Sequence, residues 1–151
     1  MIQLSLFSDT LLTINLFSGF LAFIAIGGIF ILLPFYLENI LGIPTIKIGL
    51  LLSIVPIMMG LLSPVSGVLS DKLGTRPIII TALFVLLLGY LTLSTLEATS
   101  TELEFMVKIF LIGAGMGLFI SPNNSAIMGQ AKKNQLGIVS GLMAISRTLG
   151  Q

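Results

Sequence analysis

The chain has 151 residues, 56% of them hydrophobic, with only seven Lys/Arg and six Asp/Glu for a net charge of +1. Soluble domains average roughly 25% charged residues, so the 9% found here cannot cover a water-exposed surface, and the near-neutral balance lacks the basic footprint of a nucleic-acid-binding protein. Cys and His are both absent, which excludes disulfides, thiol catalysis and the commonest metal-ligand sets.

The charges fall between long charge-free windows: Thr10–Leu37 (28 residues), Ile48–Ser70 (23), Pro77–Leu96 (20), Ile109–Ala131 (23) and Asn134–Ser146 (13). A hydrocarbon core about 30 Å thick needs about 20 helical residues, and the first four windows reach that length. One such window could be a buried helix of a soluble protein; four in one short chain point to lipid. The pattern predicts an all-α, polytopic membrane helical bundle forming a single unit over residues 1–151. Its helices are expected at about 10–37, 47–70, 77–96, 105–130 and 135–151. The last is slightly short of a full span and ends mid-pattern at Gln151, so the bundle reads as incomplete, a fragment of a longer product.

The first helix carries Pro34 and reaches Tyr36 near one membrane face. Pro44 opens the second, which contains Pro56 and Pro64; prolines are tolerated inside lipid-embedded helices where neighbours satisfy the freed carbonyls, and they mark bends. Within it, Gly60 and Gly67 share a face, and Ser63 with Gly67 forms a small-xxx-small pair suited to close helix approach. The second connection, "SDKLGTRP", packs Asp71, Lys72 and Arg76 into six positions. Gly74 supplies positive φ where the chain reverses, and Pro77 sits at the expected start of the third helix, where a missing N–H costs nothing. Tyr90 lies near the far end of that helix. The third connection is acidic, with Glu97, Glu102 and Glu104 before Lys108.

Lys and Arg in short loops set orientation. Lys72 and Arg76 in the second connection and Lys132 and Lys133 in the fourth outweigh Lys47, beside Glu38, in the first. Those two connections and the N-terminus are therefore expected in the cytoplasm. The charged stretch has two readings from chemistry alone: a basic anchor that fixes orientation, or a site where Asp71 meets the N-terminus of another helix, which favours an anion.

"GVLSDKLGTRP" resembles the loop signature G-x-x-x-D-[KR]-x-G-x-[KR] of the major facilitator superfamily, with Gly67, Asp71, Lys72, Gly74 and Arg76 at its positions. The runs around it, "IFILLPFYLENILGIPTIKIGLLLSIVPIMMGLLSPVSG" and "GAGMGLFISPNNSAIMGQAKKNQLGIVSGLMAISRTLGQ", resemble the C-terminal half of drug:proton antiporters of the fourteen-span multidrug-efflux type. The resemblance implies part of a six-helix half, with the signature between its second and third helices on the cytoplasmic side. It also implies a gating role, in which Asp71 and its basic neighbours latch that side against the other half. Implied partners are the lipid bilayer, a lipophilic or cationic small molecule, and protons. The implied location is the cell (inner) membrane.

Polar residues inside apolar helices are the remaining candidates. Arg147 is expected near the bilayer midplane, where an Arg costs about 2.5–3.5 kcal/mol and faces a cavity or a partner; a shift of the short helix would instead let it snorkel. Asn123 and Asn124, following Pro122, either line a cavity or hydrogen-bond between helices. Gly113 and Gly117 form one GxxxG and Gly137 and Gly141 another, which suggests a close hairpin between the fourth and fifth helices. The seven Met residues, Met58, Met59 and Met116 among them, either form an adaptable ligand surface or fill gaps.

No acid lies deep in a span, unless Glu38 reaches inward, so proton coupling would rest on a carboxylate in the missing half. No nucleophile–base pair, metal cluster or phosphate loop is present; neither an enzyme nor a cofactor is expected. Three readings stay open: part of a secondary transporter working by alternating access, a small structural or assembly membrane protein, and a non-functional truncated remnant.

Overall fold

The computed structural model describes residues 9–132 and 135–151. It contains six helices: α1 (Thr10–Asn39), α2 (Thr45–Leu52), α3 (Ile54–Leu73), α4 (Thr75–Leu93), α5 (Glu102–Gln130) and α6 (Leu136–Gly150). Four stretches are long and apolar enough to cross a membrane: α1, the joined α2–α3 segment over Thr45–Leu73, α4 and α5; α6 is shorter. Lipid offers no hydrogen-bond partner, so a spanning backbone must satisfy itself within helices.

Helix ends differ from the expected ones because caps, rather than loss of hydrophobicity, set them. Asp9 accepts from Leu11 N at 3.0 Å and Leu12 N at 3.2 Å, fixing the start of α1. Thr101 accepts from Glu104 N at 3.3 Å, so α5 begins at Glu102, ahead of the expected 105, and Glu102 and Glu104 lie in its first turn, where the helix dipole favours acids. Leu136–Gly150 matches the expected fifth helix within a residue at each end.

The expected second helix is divided at Ser53 into α2 and α3. Pro56 explains the break: it has no N–H to offer Leu52, and its ring crowds that carbonyl. Ser53 N still donates to Gly49 O at 3.0 Å and Ile57 N to Ser53 O at 3.1 Å, so the two pieces continue as one path across the membrane. Pro34, Pro64 and Pro122 sit inside unbroken helices.

The charged connection is shorter than its sequence suggests. Gly74 is the sole residue between α3 and α4, at φ 87° and ψ 157°, a conformation open almost exclusively to glycine. Asp71 and Lys72 occupy the last turn of α3, while Arg76 and Pro77 lie in the first turn of α4.

α5 is the axis of the bundle, with the largest buried share of any spanning helix. Its Gly113, Ala114, Gly115, Met116 and Gly117 are all buried. A Cβ on Gly113 would lie 3.0 Å from Val55 Cα, and one on Gly117 2.8 Å from Met58 O, so α3 runs parallel to α5 at close approach. Ser66 of α3 donates to Gly117 O at 3.1 Å across that seam. On the opposite side Gly115 faces Leu86 and Gly89 faces Ile112, which sets α4 antiparallel to α5. Phe105, Ile109, Ile112, Met116 and Phe119 of α5 join Leu37, Val55 and Ala82 in the main core.

α6 packs on α1 rather than on α5. Ser146 donates to Leu16 O at 3.3 Å, and a Cβ on Gly150 would lie 2.8 Å from Phe23 Cβ, so the two helices run parallel. Leu12 and Leu16 meet Ile127 of α5 and Val139 of α6 in a second, smaller core. The hairpin expected from Gly137 and Gly141 is not formed: no heavy atom lies within 4 Å of the Cβ position of either. The glycines that bring α6 close to its neighbour are Gly150 and Gly27.

These directions collect the N-cap Asp9, the Gly74 connection and Lys132 at one end of the bundle. The connections over 40–44 and 94–101 lie at the other, where Lys47 pairs with Glu102 at 2.6 Å and Tyr36 OH donates to Glu97 O at 2.7 Å. Lys133, the second basic residue expected in the fourth connection, lies outside the described residues, as does the start of the window at Asn134.

The glycine seam gives a direct test. A Cβ at Gly115 would stand 2.8 Å from Leu86 N, a backbone atom that cannot rotate away. Gly115→Val should lower unfolding stability in micelles by about 1–3 kcal/mol, the cost of overpacking. Gly137→Ala, in open space, should be neutral or gain up to about 1 kcal/mol from helix propensity. Equal losses for both would refute the seam.

Candidate functional site

The sequence-derived candidates separate into two groups at different depths. The first is the Gly74 connection. Asp71, Lys72, Gly74 and Arg76 are all exposed, and none of the three charged side chains makes a hydrogen bond or ion pair among the described residues. Gly67, four residues before Asp71, is turned inward: a Cβ there would lie 2.9 Å from Ser121 Oγ of α5. This connection therefore presents one acid and two bases with their charges unspent, on a backbone held rigid by two helices meeting at one glycine.

The second group lies between α1, α5 and α6. Asn123, Asn124 and Arg147 line one small cavity of about 20 Å³, together with Leu16, Gly19, Phe23, Ile127, Met143 and Ser146. Three residues picked out separately as polar interruptions of apolar helices thus meet at one place. Asn123 is only 4% exposed and its Oδ1 has no hydrogen-bond partner. Burying an amide oxygen without a partner costs about 1–3 kcal/mol. Arg147 lays its guanidinium over the Phe23 ring, 5.0 Å from the centroid, a cation–π contact. Phe23 is close to the midpoint of α1, so the contact sets the exposed Arg147 level with the middle of that helix.

Sequence reasoning missed Phe23 and Ser146, which complete the cavity wall. Ser146 adjoins Arg147 and had a signal in that adjacency; Phe23 had none, being one aromatic among ten Phe in an apolar chain. It also placed Lys108 just beyond the third connection and gave it no partners. Lys108 is 7% exposed and donates to Glu104 Oε1 and to Thr95 Oγ1 at 2.9 Å, tying the connection over 94–101 to α5. Both polar groups around it are satisfied, so Lys108 is a structural cation.

The exposed faces differ in kind. α4 presents Ile80, Leu83, Phe84, Leu87, Leu88 and Leu91 outward, a surface suited to acyl chains. α6 exposes Gly137, Ser140, Gly141, Ala144, Arg147 and Thr148 along one side. A stripe of small and polar residues beside a cation does not match lipid tails; it suits a protein neighbour or a cavity. Ile145 and Leu149 mark the lipid-suited side of the same helix.

Comparison with known proteins agrees with this architecture. Residues 2–151 match the Major Facilitator Superfamily. The chain is 34% identical over 119 residues to the uncharacterized transporter YebQ of Escherichia coli, covering 79% of this chain and 26% of that protein. It is 29% identical over 148 residues to the riboflavin transporter RibZ of Clostridioides difficile, covering 98% and 32%. To the multidrug transporter protein MdtP of Bacillus subtilis it is 30% identical over 145 residues, covering 96% and 27%. The chain thus spans about a third or less of the length of these relatives. No solved structure matches it.

The Arg147–Phe23 contact is measurable by a double-mutant cycle. Phe23→Leu and Arg147→Met, singly and together, should give a coupling energy of about 1 kcal/mol in micelle unfolding. Strict additivity of the two substitutions would show that the contact contributes nothing. The spanning helices, the signature at Gly67–Arg76 and the match over residues 2–151 lead to one conclusion: the chain is an integral, multi-pass membrane protein and belongs to the Major Facilitator Superfamily.

Proposed function

We propose that this chain is part of a proton-coupled efflux transporter for hydrophobic or cationic compounds, seated in the cell (inner) membrane with its N-terminus in the cytoplasm. The observation that carries the transporter reading is the juxtaposition of Asn123, Asn124 and Arg147 level with the middle of α1, on the side where α6 exposes small and polar residues; the cationic substrate class is not drawn from it. Such residues persist at that depth where they face a pathway or a partner. The multidrug transporter MdtP among the relatives supports the substrate class.

Alternating access follows from rocking one bundle against another around a midplane site. In this scheme α6 and the neighbouring part of α5 face the pathway, and α4 faces lipid. The Gly74 connection latches the cytoplasmic side: Asp71 docks on a helix N-terminus of the opposing bundle while Lys72 and Arg76 hold the connection inside. The orientation is supported by the charges, since Lys72, Arg76 and Lys132 share the end opposite to Glu38, Glu97, Glu102 and Glu104. Protons are carried by a carboxylate outside this chain, since no acid of the described spans is set deep among the helices.

Cells producing the protein in its full genetic context should accumulate less tetraphenylphosphonium than control cells, and a protonophore should abolish the difference. Asp71→Asn removes one charge-assisted hydrogen bond worth about 1.5 kcal/mol, so efflux should slow about tenfold while the amount of inserted protein is unchanged. Accumulation indifferent to both the protein and the protonophore would sink the efflux reading, and wild-type rates in Asp71→Asn would sink the latch.

A further inference from the structure

Arg147 lies level with the midpoint of α1 on the exposed side of α6, and no counter-charge meets it among the described residues. The guanidinium lies over Phe23 at 5.0 Å, which engages the face of the cation. Among the described residues it forms no ion pair, and none of its side-chain N–H groups donates a hydrogen bond. The Phe23 contact offsets only part of the penalty for an Arg among apolar helices. Behind it, the buried Oδ1 of Asn123 lacks a donor, and the cavity of about 20 Å³ that both residues line has room for one water molecule. Asn124 and Ser146 border the same space, and Ser146 is already committed to Leu16 O.

We propose that Arg147, Asn123 and Asn124 form an intramembrane binding site for the single carboxylate of an amphiphilic small molecule. The in-plane N–H groups of Arg147 and the amide of Asn124 donate to the carboxylate. A water in the cavity donates one hydrogen to Asn123 Oδ1 and the other to the carboxylate. Charge selects the class: one guanidinium and no other charged side chain line the cavity, so one negative charge neutralises it, whereas a phosphate dianion would leave an excess charge away from water. Geometry selects within the class, because the planar guanidinium fork matches a carboxylate in a way a point charge does not. Depth excludes lipid headgroups, since Phe23 is near the midpoint of a 30-residue helix. The small side chains of Gly137, Ser140, Gly141 and Ala144 leave width beside Arg147 for the apolar body of the ligand. The site requires only that the chain be embedded in a membrane; it does not depend on efflux or on proton coupling.

The test is binding of radiolabelled benzoate to the 151-residue chain in nanodiscs of zwitterionic phosphatidylcholine, with empty nanodiscs as the blank. Saturable binding is expected, displaced by other monocarboxylates and untouched by tetraphenylphosphonium. Arg147→Gln should abolish it, and Arg147→Lys, which keeps the charge and loses the fork, should weaken it about tenfold. Helical circular dichroism checks that each variant is folded, and the Arg147→Lys comparison together with chloride competition decides the matter even if Arg147→Gln does not fold. Absence of saturable binding, full binding in Arg147→Lys, or displacement by chloride as effective as by acetate would each overturn the carboxylate site. Because binding and transport are read separately, failure of benzoate binding and failure of tetraphenylphosphonium efflux are distinguishable outcomes.

Discussion

The constraint behind every feature of this protein is that lipid supplies no hydrogen bonds. Each backbone group in a spanning segment must be satisfied inside its own helix, and each polar side chain at depth must find its partner in the protein. The first half of that constraint produces the helices; the second sorts the side chains. Ser18, Ser70, Thr81, Thr92 and Thr148 return their hydroxyl protons to carbonyls three or four residues back on their own helix. They cost the bundle little and tell nothing of function. Against that background Asn123 Oδ1 and the Arg147 guanidinium stand out, because their chemistry cannot be closed within one helix turn.

With no water to drive helices together, close backbone approach has to do it. The small residues are therefore concentrated on α5, which is gripped from two sides at the Gly113–Gly117 stretch. α3 and α4 consequently lie against a fixed axis, and the Gly74 connection between them inherits that rigidity. α6 is attached differently. It touches mainly α1, through the close approach of Gly150 and Gly27 and the small core of Leu12, Leu16, Ile127 and Val139. The bundle is thus a tight α3–α4–α5 unit carrying a more lightly held α1–α6 pair, and the polar cavity is set at the seam between the two.

Much of the fold was legible because charge-free length is a direct imprint of membrane thickness. Span number and the reversal at Gly74 followed from that and from the positions of Asp71, Lys72 and Arg76. Helix ends were not legible from it. α5 starts just after Thr101, whose hydroxyl caps it outside the apolar run, and α2 is divided from α3 by a proline effect that leaves hydropathy unchanged. Helix neighbours were misjudged for a similar reason. Gly137 and Gly141 have the spacing of a packing motif but face open space, while Gly27 and Gly150, the glycines in actual contact, form no such spacing. A GxxxG records that a close approach is possible, not where the partner is. Asn123, Asn124 and Arg147 were each conspicuous in sequence; their meeting needs α6 to pack against α1, which nothing in the local sequence encodes.

The chain holds two cations among its apolar helices, Lys108 buried and Arg147 exposed, and their surroundings contrast. Lys108 sits one turn and a half inside α5, where Glu104, one turn earlier, and Thr95 of the preceding connection reach it. Its neutralisation is complete and local, and the result is a pinned connection. Arg147 has an aromatic face instead of an acid, and its surroundings offer hydrogen-bonding groups without a counter-charge. A fold that needed only stability at that point would gain by replacing Arg147 with an apolar residue, since an unpaired charge at depth is a net cost. In the proposed carboxylate site, the ligand supplies the negative charge that the described residues lack. The open stripe of Gly137, Ser140, Gly141 and Ala144 beside it is the side on which such a charge can approach.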